Sequence, residues 1–463
     1  LSDPDAMVSE NCILNSNGTL TSISSSGSVG NPSNNTLTWL RQNTHAYVSR
    51  NVGLTGIRLK QLSDSNRKMF ADGTSAANYI SNESGEFDVL LKFGSDIYYK
   101  TEAWTPKGAS APNLDYVAVT IAKEIPTTED ASKWCKWSQY KLIGVYPACK
   151  INNKLYSLSG KRAVSDLTKL TSKNFSKARG ENFSTCDYDM AKLFAFLFYG
   201  YYSSLGSQQI CGYGTTAYTN SKYYSKITGS TDELGMTDTD TTTGNGPDSP
   251  NVNQIIAGIG SDIKTVNFWG LESCWGDTIE LLSNSNVYSV TSHNLNAGAD
   301  YNPSMEDLID WRKKLLITNW KGVDVEYTSK EDFRKDYTDN YGVFIGVYDY
   351  GLKRERYIEV EYDAKIHDGY IAKMIFGAHA DIIPKLCKNK ASSDTGFCDD
   401  FKASPDGTSL LQRSGDSNRA AGGISFINAY TPSSYYYSLF GARIMYNGDE
   451  STVHVIDDAT EEL

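Results

Sequence analysis

Histidine and carboxylate side chains can hold a metal ion or move protons, but their spacing in this chain forms no known catalytic motif. No HxH or HExxH pair occurs, so a zinc site of the metalloprotease kind is not indicated. The GxSxG turn of serine hydrolases, the P-loop and the dinucleotide-binding glycine fingerprint are also missing. The histidines are His45, His293, His367, His379 and His454.

One loop, TDTDTTTGN at 237–245, places oxygen-bearing side chains at alternate positions. Asp238 and Asp240 are of the type that a hard cation such as calcium prefers. No glutamate closes the loop in the manner of an EF-hand, and a solvated turn is the alternative. We therefore expect no cofactor, with calcium at this loop as the open alternative.

The cysteines show no CxxC pair and no histidine at metal-ligand spacing. We expect scattered buried thiols. Cys387 and Cys398 flank a polar loop, KNKASSDTGF, and in an oxidising compartment a disulfide between them would close it. The eight are Cys12, Cys135, Cys149, Cys186, Cys211, Cys274, Cys387 and Cys398.

Composition excludes some partners and indicates a fold class. A net charge of −11 without a basic run argues against nucleic-acid binding. The longest apolar run, 190–202, contains Lys192 and is too short to span a bilayer. The 38 glycines and 31 tyrosines are typical of many short strands joined by turns. A chain of 463 residues is long enough for two or three domains, and we expect an α+β protein.

Changes in composition suggest four regions. A Ser-, Asn- and Gly-rich stretch at 1–40 indicates a flexible or attachment arm. Alternating segments predict a β-rich domain at 41–160, in which FDVLLKF and DIYYKTEAW form paired strands. A larger domain follows at 161–446. An acidic, frayed tail occupies 447–463.

Helical periodicity appears twice in the larger domain. STCDYDMAKLFAFLFYGYY carries apolar residues at three-and-four spacing, and Asp187 or Asp189 can cap its start. NPSMEDLIDWRKKLL, with Asn302 as cap and Pro303 in the first turn, predicts a second helix. Short strands are predicted after it in GVFIGVYDYG, RYIEVEYDA and GYIAKMIFG.

Two motifs in order resemble the formylglycine-generating (sulfatase-modifying factor) family. NFWGLESCWGDTIELLSN at 267–284 is similar to its NxWGLxDMxGNVWEW signature, and AAGGISF followed by FGARI is similar to its closing RGGSW and GFR. The resemblance implies a variant of the C-type lectin fold over about 161–446, behind the small β-rich domain. The matching residues are Trp269, Gly270, Leu271, Gly276, Glu280, Gly422, Gly423, Ser425, Gly441 and Arg443.

Departures from that family decide what activity to expect. The family carries its catalytic cysteines between the two closing motifs, where this chain has ISFINAYTPSSYYYSL and no cysteine. Without a thiolate there is neither metal ligand nor nucleophile for that oxidation, so we expect no enzyme. Asp277 replaces the Asn of GNVWEW, which puts an inherited calcium site in doubt.

The same fold implies a second use. The chain resembles variable proteins of diversity-generating retroelements, in which a C-terminal lectin-type segment is mutagenised to vary its ligand. HAYVSRNVGLTGIRLKQL and FDVLLKFGSDIYYKTEAW further resemble tail-associated proteins of phages and prophages of gut Bacteroides-type bacteria. This implies an extracellular host-recognition adhesin on a phage tail or bacterial surface. Its partners would be a cell-surface glycan or protein and other virion or surface proteins, and it would assemble as a homotrimer.

The segment at about 414–438 is the predicted binding surface. Tyrosine offers a large amphipathic contact area at little rotamer entropy, and of three consecutive tyrosines in a strand at least one faces outward. A structural virion or surface component, or a sulfatase-modifying type of enzyme, remains the alternative. The predicted contacts are Ser414, Asp416, Asn418, Ser425, Phe426, Asn428, Tyr430, Ser434, Tyr435, Tyr436 and Tyr437.

Overall fold

A computed structural model describes most of the chain, and the architecture within it is α+β, as expected. Strands account for most of its regular structure, and helices are few and mostly short. The described residues are 9–15, 36–53, 56–104, 109–111, 113–202, 206–212, 214, 227–239, 265–289, 309–337, 343–360, 369–375, 377–388, 399–403, 409–413, 422–429, 440–456 and 463.

A seven-stranded sheet forms one side of the core. All neighbouring strands are antiparallel except the last pair, which is parallel. In order across the sheet they are β11 (Phe183–Thr185), β25 (Ile444–Asn447), β8 (Lys141–Gly144), β4 (Phe87–Phe93), β2 (Thr44–Asn51), β3 (Ile57–Gln61) and β26 (Val453–Val455).

Strands of this sheet come from both sides of the predicted domain boundaries. β8, from the predicted 41–160 domain, pairs directly with β25, which comes from the larger domain and pairs in turn with β11. β26, from the predicted frayed tail, pairs with β3. Pairing between segments far apart in sequence leaves no local signal, so composition alone placed boundaries inside one sheet.

A four-stranded sheet corrects a predicted strand pair. β5 (Ile97–Trp104) does not pair with β4, because both edges of β4 are already occupied by β2 and β8. β5 lies instead between β6 (Asn113–Ala122) and β7 (Cys135–Trp137). The order is β1 (Ser9–Asn15), β6, β5 and β7, so β1 places part of the predicted 1–40 arm in a sheet.

The long helix predicted around Met190 is confirmed. Helix α4 spans Tyr188–Tyr202, and Asp187 caps it by accepting a hydrogen bond from the Met190 backbone N–H at 2.9 Å. Its burial is wider than the single face that periodicity predicted, since all positions from Met190 to Gly200 are buried. The other helices are α1 (Thr36–Gln42), α2 (Ala77–Ile80), α3 (Lys169–Lys177), α5 (Ser207–Cys211) and α6 (Lys330–Asp336). None of the helices in the described ranges has the length and apolar character to cross a bilayer.

The largest sheet is built from strands between residues 279 and 441. In order they are β16 (Asp324–Tyr327), β15 (Leu315–Thr318), β18 (Arg354–Val360), β17 (Val343–Asp349), β14 (Ile279–Ser289), β22 (Ser409–Arg413), β23 (Ile427–Ala429), β21 (Asp400–Ala403), β19 (Gly369–Ile375) and β20 (Ile383–Lys388). β24 (Phe440–Gly441) runs parallel to the start of β14. Two small ribbons pair β9 (Cys149–Ile151) with β10 (Lys154–Tyr156) and β12 (Asn267–Phe268) with β13 (Leu271–Glu272).

This sheet confirms the strands predicted as β17, β18 and β19 and contradicts the second predicted helix. Leu315 and Leu316, at the end of NPSMEDLIDWRKKLL, are in β15, and the residues just before them form a turn closed by the Lys313 N–H and Asp310 carbonyl at 2.9 Å. The buried Leu-Leu-Ile run is used as a strand against β18. Residues 302–308 lie outside the described residues.

Candidate ligand-binding site

Glu280 binds two arginines that stand on either side of the predicted binding segment. Arg443 donates its Nε to Oε1 of Glu280 at 2.8 Å, and Arg413 donates Nη1 to Oε2 at 2.6 Å. All three side chains are buried. Arg413 ends β22, immediately before 414, and Arg443 follows β24. In sequence, the predicted segment therefore begins directly after one arginine bound to Glu280 and is followed by the other.

Arg443 also ties several turns to this cluster. Its two Nη atoms donate to backbone carbonyls at 2.8–3.0 Å. The accepting carbonyls belong to Gly144, Val145, Glu272 and Ser273. A planar guanidinium with five donors suits such a fixed array. The arginine of the predicted GAR motif thus joins the seven-stranded sheet to the WGL region.

Two guanidinium groups share one carboxylate in this cluster. Burial disfavours the charged form of Arg413, but the adjacent Glu280, together with Cys274 and Cys186, outweighs burial and holds the pKa of Arg413 above its ordinary value. Arg413 gains a further partner in the Cys274 carbonyl, which accepts from Nη2 at 3.0 Å. Glu280 is the shared acidic partner of both arginines.

The WGL motif forms the hairpin turn between β12 and β13. The paired residues Phe268 and Leu271 enclose a two-residue loop, and both loop residues have positive φ, +50° at Trp269 and +78° at Gly270. Positive φ at both positions is the requirement of a type I′ turn. The buried Trp269 indole donates to Thr44 Oγ1 at 3.3 Å, which ties the motif to the start of β2.

Asp238, one half of the predicted calcium pair, bonds to neighbouring protein groups. Its carboxylate pairs with Arg41 Nη2 at 2.5 Å and accepts from Tyr202 Oη at 2.5 Å and from the Trp269 N–H at 2.8 Å. These contacts place it in the packing around Trp269 rather than in a solvated turn. Asp240 lies outside the described residues. Within the described ranges, no three His, Cys, Asp or Glu side chains group to hold a metal ion.

The thiols near the cluster are held in the neutral form. Cys274 lies with its Sγ 3.6 Å from Arg413 Nη2, yet burial raises the pKa of the thiol above its ordinary value. Burial also raises the pKa of Cys186, whose Sγ lies 3.6 Å from the Leu281 carbonyl. A neutral thiol is a poor nucleophile and metal ligand. Cys398 lies outside the described residues, so its pairing with Cys387 stays a prediction.

Of the predicted ligand contacts, three fall within the described residues. Ser425 and Phe426 are each only 1% exposed, and the Ser425 hydroxyl lies 2.5 Å from the buried Tyr199 hydroxyl. Asn428 is half-buried in β23 and donates Nδ2 to Gln412 Oε1 on β22 at 2.8 Å. Ser425 and Phe426 are therefore buried rather than exposed to solvent. Ser414, Asp416, Asn418, Tyr430, Ser434, Tyr435, Tyr436 and Tyr437 lie outside the described residues.

The sequence prediction missed the support residues Arg413, Tyr199 and Gln412. One signal was available for Arg413, since an arginine ends the apolar strand SLLQR immediately before a Ser-, Gly- and Asp-rich run. A charged residue at the end of a buried strand is either buried beside an oppositely charged partner or exposed where the strand reaches solvent. The sequence does not distinguish these two cases. Tyr199 and Gln412 gave no such signal.

Comparisons with known proteins add no family to this picture. No protein-family model matches the chain, and no curated protein matches it either.

Proposed function

We propose that this chain is a ligand-binding protein whose contact surface is the segment at about 414–438. The observation that carries the proposal is the attachment of both ends of this segment to one buried carboxylate, Glu280, through Arg413 and Arg443. Binding residues commonly occupy loops positioned by a fixed scaffold. A Tyr- and Ser-rich segment on such a base has the composition of a recognition surface.

The wider setting follows from the resemblance, and we include it in the proposal. The chain is a host-recognition adhesin with a C-type lectin type of fold, extracellular, on a phage tail or bacterial surface, and trimeric. Its ligand is a glycan or protein of the bacterial cell surface. Support comes from the meeting of the two motifs, since Glu280 of the first bonds to Arg443 of the second.

We further propose that the site binds without catalysis. The sequence from Ile424 to Phe440 contains no cysteine, where the resembling enzymes carry their nucleophile. Cys274, whose Sγ lies 3.6 Å from Arg413 Nη2, has a raised pKa because of burial. These features favour recognition over sulfatase modification.

A cell-binding experiment tests the site. Purified full-length protein, fluorescently labelled, is titrated onto a panel of gut Bacteroides-type cells and onto their purified surface polysaccharides. Replacing Tyr435, Tyr436 and Tyr437 together by alanine is expected to weaken binding at least tenfold. The matched control replaces Tyr348 and Tyr350, which are 41% and 53% exposed elsewhere on the protein, and is expected to bind as the wild type does.

Other outcomes distinguish the alternatives. Unchanged binding by the triple variant places the site elsewhere. Absence of binding to every cell and polysaccharide favours a structural virion or surface component. Conversion of a sulfatase peptide to its aldehyde form, followed by mass spectrometry, would establish the enzyme instead. Substitutions spread evenly along sibling sequences, rather than concentrated at 414–438, contradict a diversified surface.

A further inference from the structure

The side chain of Lys169, the first residue of α3, reaches a bulge of β14. Its Nζ donates to the carbonyl of Ser285 and to Oδ1 of Asn286, the latter at 2.8 Å. The register of β14 against β22 shifts just before Asn286, which marks the bulge. Both acceptors are neutral, and among the described residues no carboxylate forms an ion pair with Lys169. The amine is therefore held by hydrogen bonds without a counter-ion.

Three features of this position disfavour the charged form of Lys169. The residue is half-buried, so its amine loses part of its hydration. It begins a nine-residue helix, where the positive end of the helix dipole opposes a cation. Lys173, one turn later, adds a like charge. Burial, followed by the charge of Lys173, lowers the pKa of Lys169 from 10.5 to about 8. A lysine that loses its proton near neutral pH is a nucleophile.

Two buried hydroxyl groups belong to the same junction of α3 and β14. Ser172 follows Lys169 by three residues, so it lies on the same face of α3. Ser285 supplies the carbonyl that Lys169 binds. Both serines are 1% exposed, and neither hydroxyl bonds to a protein group in the described part of the chain. Buried hydroxyls are normally hydrogen-bonded, so this pair indicates a ligand that carries a polar group of its own.

We propose that Lys169 captures small hydroxyaldehydes covalently, as an imine, at the junction of α3 and β14. Leu170 is 67% exposed, so the start of α3 lies at the protein surface, where an aldehyde can enter. Ser172 and Ser285 bind the hydroxyl of the ligand, and their burial limits its size. The inference uses no residue of the segment at 414–438 and does not depend on the proposed function.

The capture is a condensation and needs no oxidant. The neutral nitrogen of Lys169 attacks the aldehyde carbon, and the carbonyl oxygen takes up a proton to give a carbinolamine. The carbon–oxygen bond then breaks and the oxygen leaves as water, so that amine and aldehyde give imine and water.

Reductive trapping on the full-length protein tests the capture. The protein is incubated with glycolaldehyde and sodium cyanoborohydride at pH 7.5, and peptide-resolved mass spectrometry measures the rate at each lysine. Lys173 is the matched control, because it is exposed on the same helix. At this pH about a quarter of Lys169 is neutral, against about 0.1% of an ordinary lysine. We expect Lys169 to react at least tenfold faster than Lys173.

The pH profile and one charge variant distinguish a neutral amine from a merely accessible one. The ratio of the Lys169 rate to that of free Nα-acetyllysine is expected to fall about tenfold per pH unit above about pH 8. Asn286→Asp places a carboxylate beside the amine and favours its charged form. This variant is expected to slow Lys169 at least fivefold at pH 7.5 and to leave Lys173 unchanged.

A pair of aldehydes of equal size tests the ligand class. Propanal has a methyl group where glycolaldehyde has its hydroxyl. Lys169 is expected to prefer glycolaldehyde to propanal at least threefold more than Lys173 does, and the double variant Ser172→Ala/Ser285→Ala is expected to remove this preference.

Two results would overturn the proposal. Equal rates at Lys169 and Lys173, or a rate ratio that does not change with pH, show that Lys169 is not the nucleophile. The same aldehyde preference at both lysines shows that the junction does not recognise the hydroxyl, and the hydroxyaldehyde site is then excluded. Neither result affects the cell-binding experiment, which tests the proposed function separately.

Discussion

Arg443 donates its Nε to Glu280 Oε1 at 2.8 Å, inside a part of the protein that excludes water from both side chains. The other oxygen of the same carboxylate accepts from Arg413. Glu280 is therefore the shared counter-ion of two buried cations. We expect Glu280→Gln to lower the free energy of unfolding by about 3–5 kcal/mol, since it leaves both guanidinium groups without a charged partner. Denaturant unfolding of the purified protein measures the loss.

A surface pair provides the control for this prediction. Arg354 Nη1 lies 3.1 Å from Glu326, and their side chains are 32% and 41% exposed. Solvent screens such pairs, so Glu326→Gln is expected to cost less than about 1 kcal/mol. Equal losses for Glu280→Gln and Glu326→Gln would show that the buried cluster contributes no more to the free energy of unfolding than a surface ion pair does.

Gly270 is expected to be intolerant of a side chain for two separate reasons. Its φ is +78°, and an added Cβ would lie 2.5 Å from Met236 Sδ. Gly73 has a similar φ of +84° but no atom within 4 Å of the added Cβ, so it isolates the backbone contribution. We expect Gly73→Ala to cost about 1–2 kcal/mol and Gly270→Ala about 1–3 kcal/mol more. Paired thermal and denaturant unfolding measures both, and equal costs would contradict the steric argument.

Asp232 gives the stability of the protein a specific pH dependence. Burial, with a further contribution from Glu272, raises the pKa of this carboxyl from 3.8 to about 6. The Ser159 and Tyr146 hydroxyls donate to it. As the pH rises from 3.8 to about 6, the unfolded chain releases this proton while the folded chain keeps it. The wild type therefore loses stability across this window, by about 3 kcal/mol at roughly 1.4 kcal/mol per unit.

Asp232→Asn removes this titration. The free energy of unfolding of Asp232→Asn, relative to wild type, is expected to rise by about 3 kcal/mol between pH 4 and pH 7. Urea unfolding at half-unit pH steps measures the difference, and comparison with the wild type cancels the other titrating groups. Two curves that run parallel across the window would show that Asp232 does not keep its proton in the folded protein.

Thiol labelling tests the proposal that the site has no nucleophile. Burial raises the pKa of Cys135 from 9.0 to about 11, and that of Cys274 also lies above its ordinary value. At pH 8 iodoacetamide is expected to modify Cys135 about 100-fold more slowly in the native protein than in urea. Peptide-resolved mass spectrometry follows each site, with the urea-unfolded chain as control. Rapid labelling of native Cys274 would contradict this proposal and support a thiol-dependent enzyme.

Local patterns in the sequence predicted the local features correctly. The Asp187 cap of α4 and the strands β17, β18 and β19 depend on neighbouring residues, and each is found as expected. The helix predicted over 302–316 failed over its described part because Leu315 and Leu316 lie in β15, which pairs with β16 just after it and, through Ile317, with Tyr357 of β18 some 40 residues later. Such a competition is decided by distant residues, which periodicity does not report.

The candidate site shows the same division. Glu280 and Arg443 were found because they belong to recognisable motifs, and they do meet. Ser207 and Asp399 were not found, because each is far in sequence from the backbone N–H that it binds. A serine and an aspartate in polar stretches have no local feature that distinguishes a buried side chain, bonded to the backbone, from a surface residue.

The seven-stranded sheet also sets the order in which the chain can fold. β8 begins at residue 141, but its neighbour β25 begins only at Ile444. The neighbour of β3, β26, begins only at Val453. During synthesis both strands present unpaired edges until the ribosome has made more than 300 further residues. Sheets closed by such distant partners fold slowly, and their open edges are sites of aggregation. We therefore expect this protein to complete folding only after most of the chain has been synthesised, and to require chaperones and slow refolding when produced in quantity.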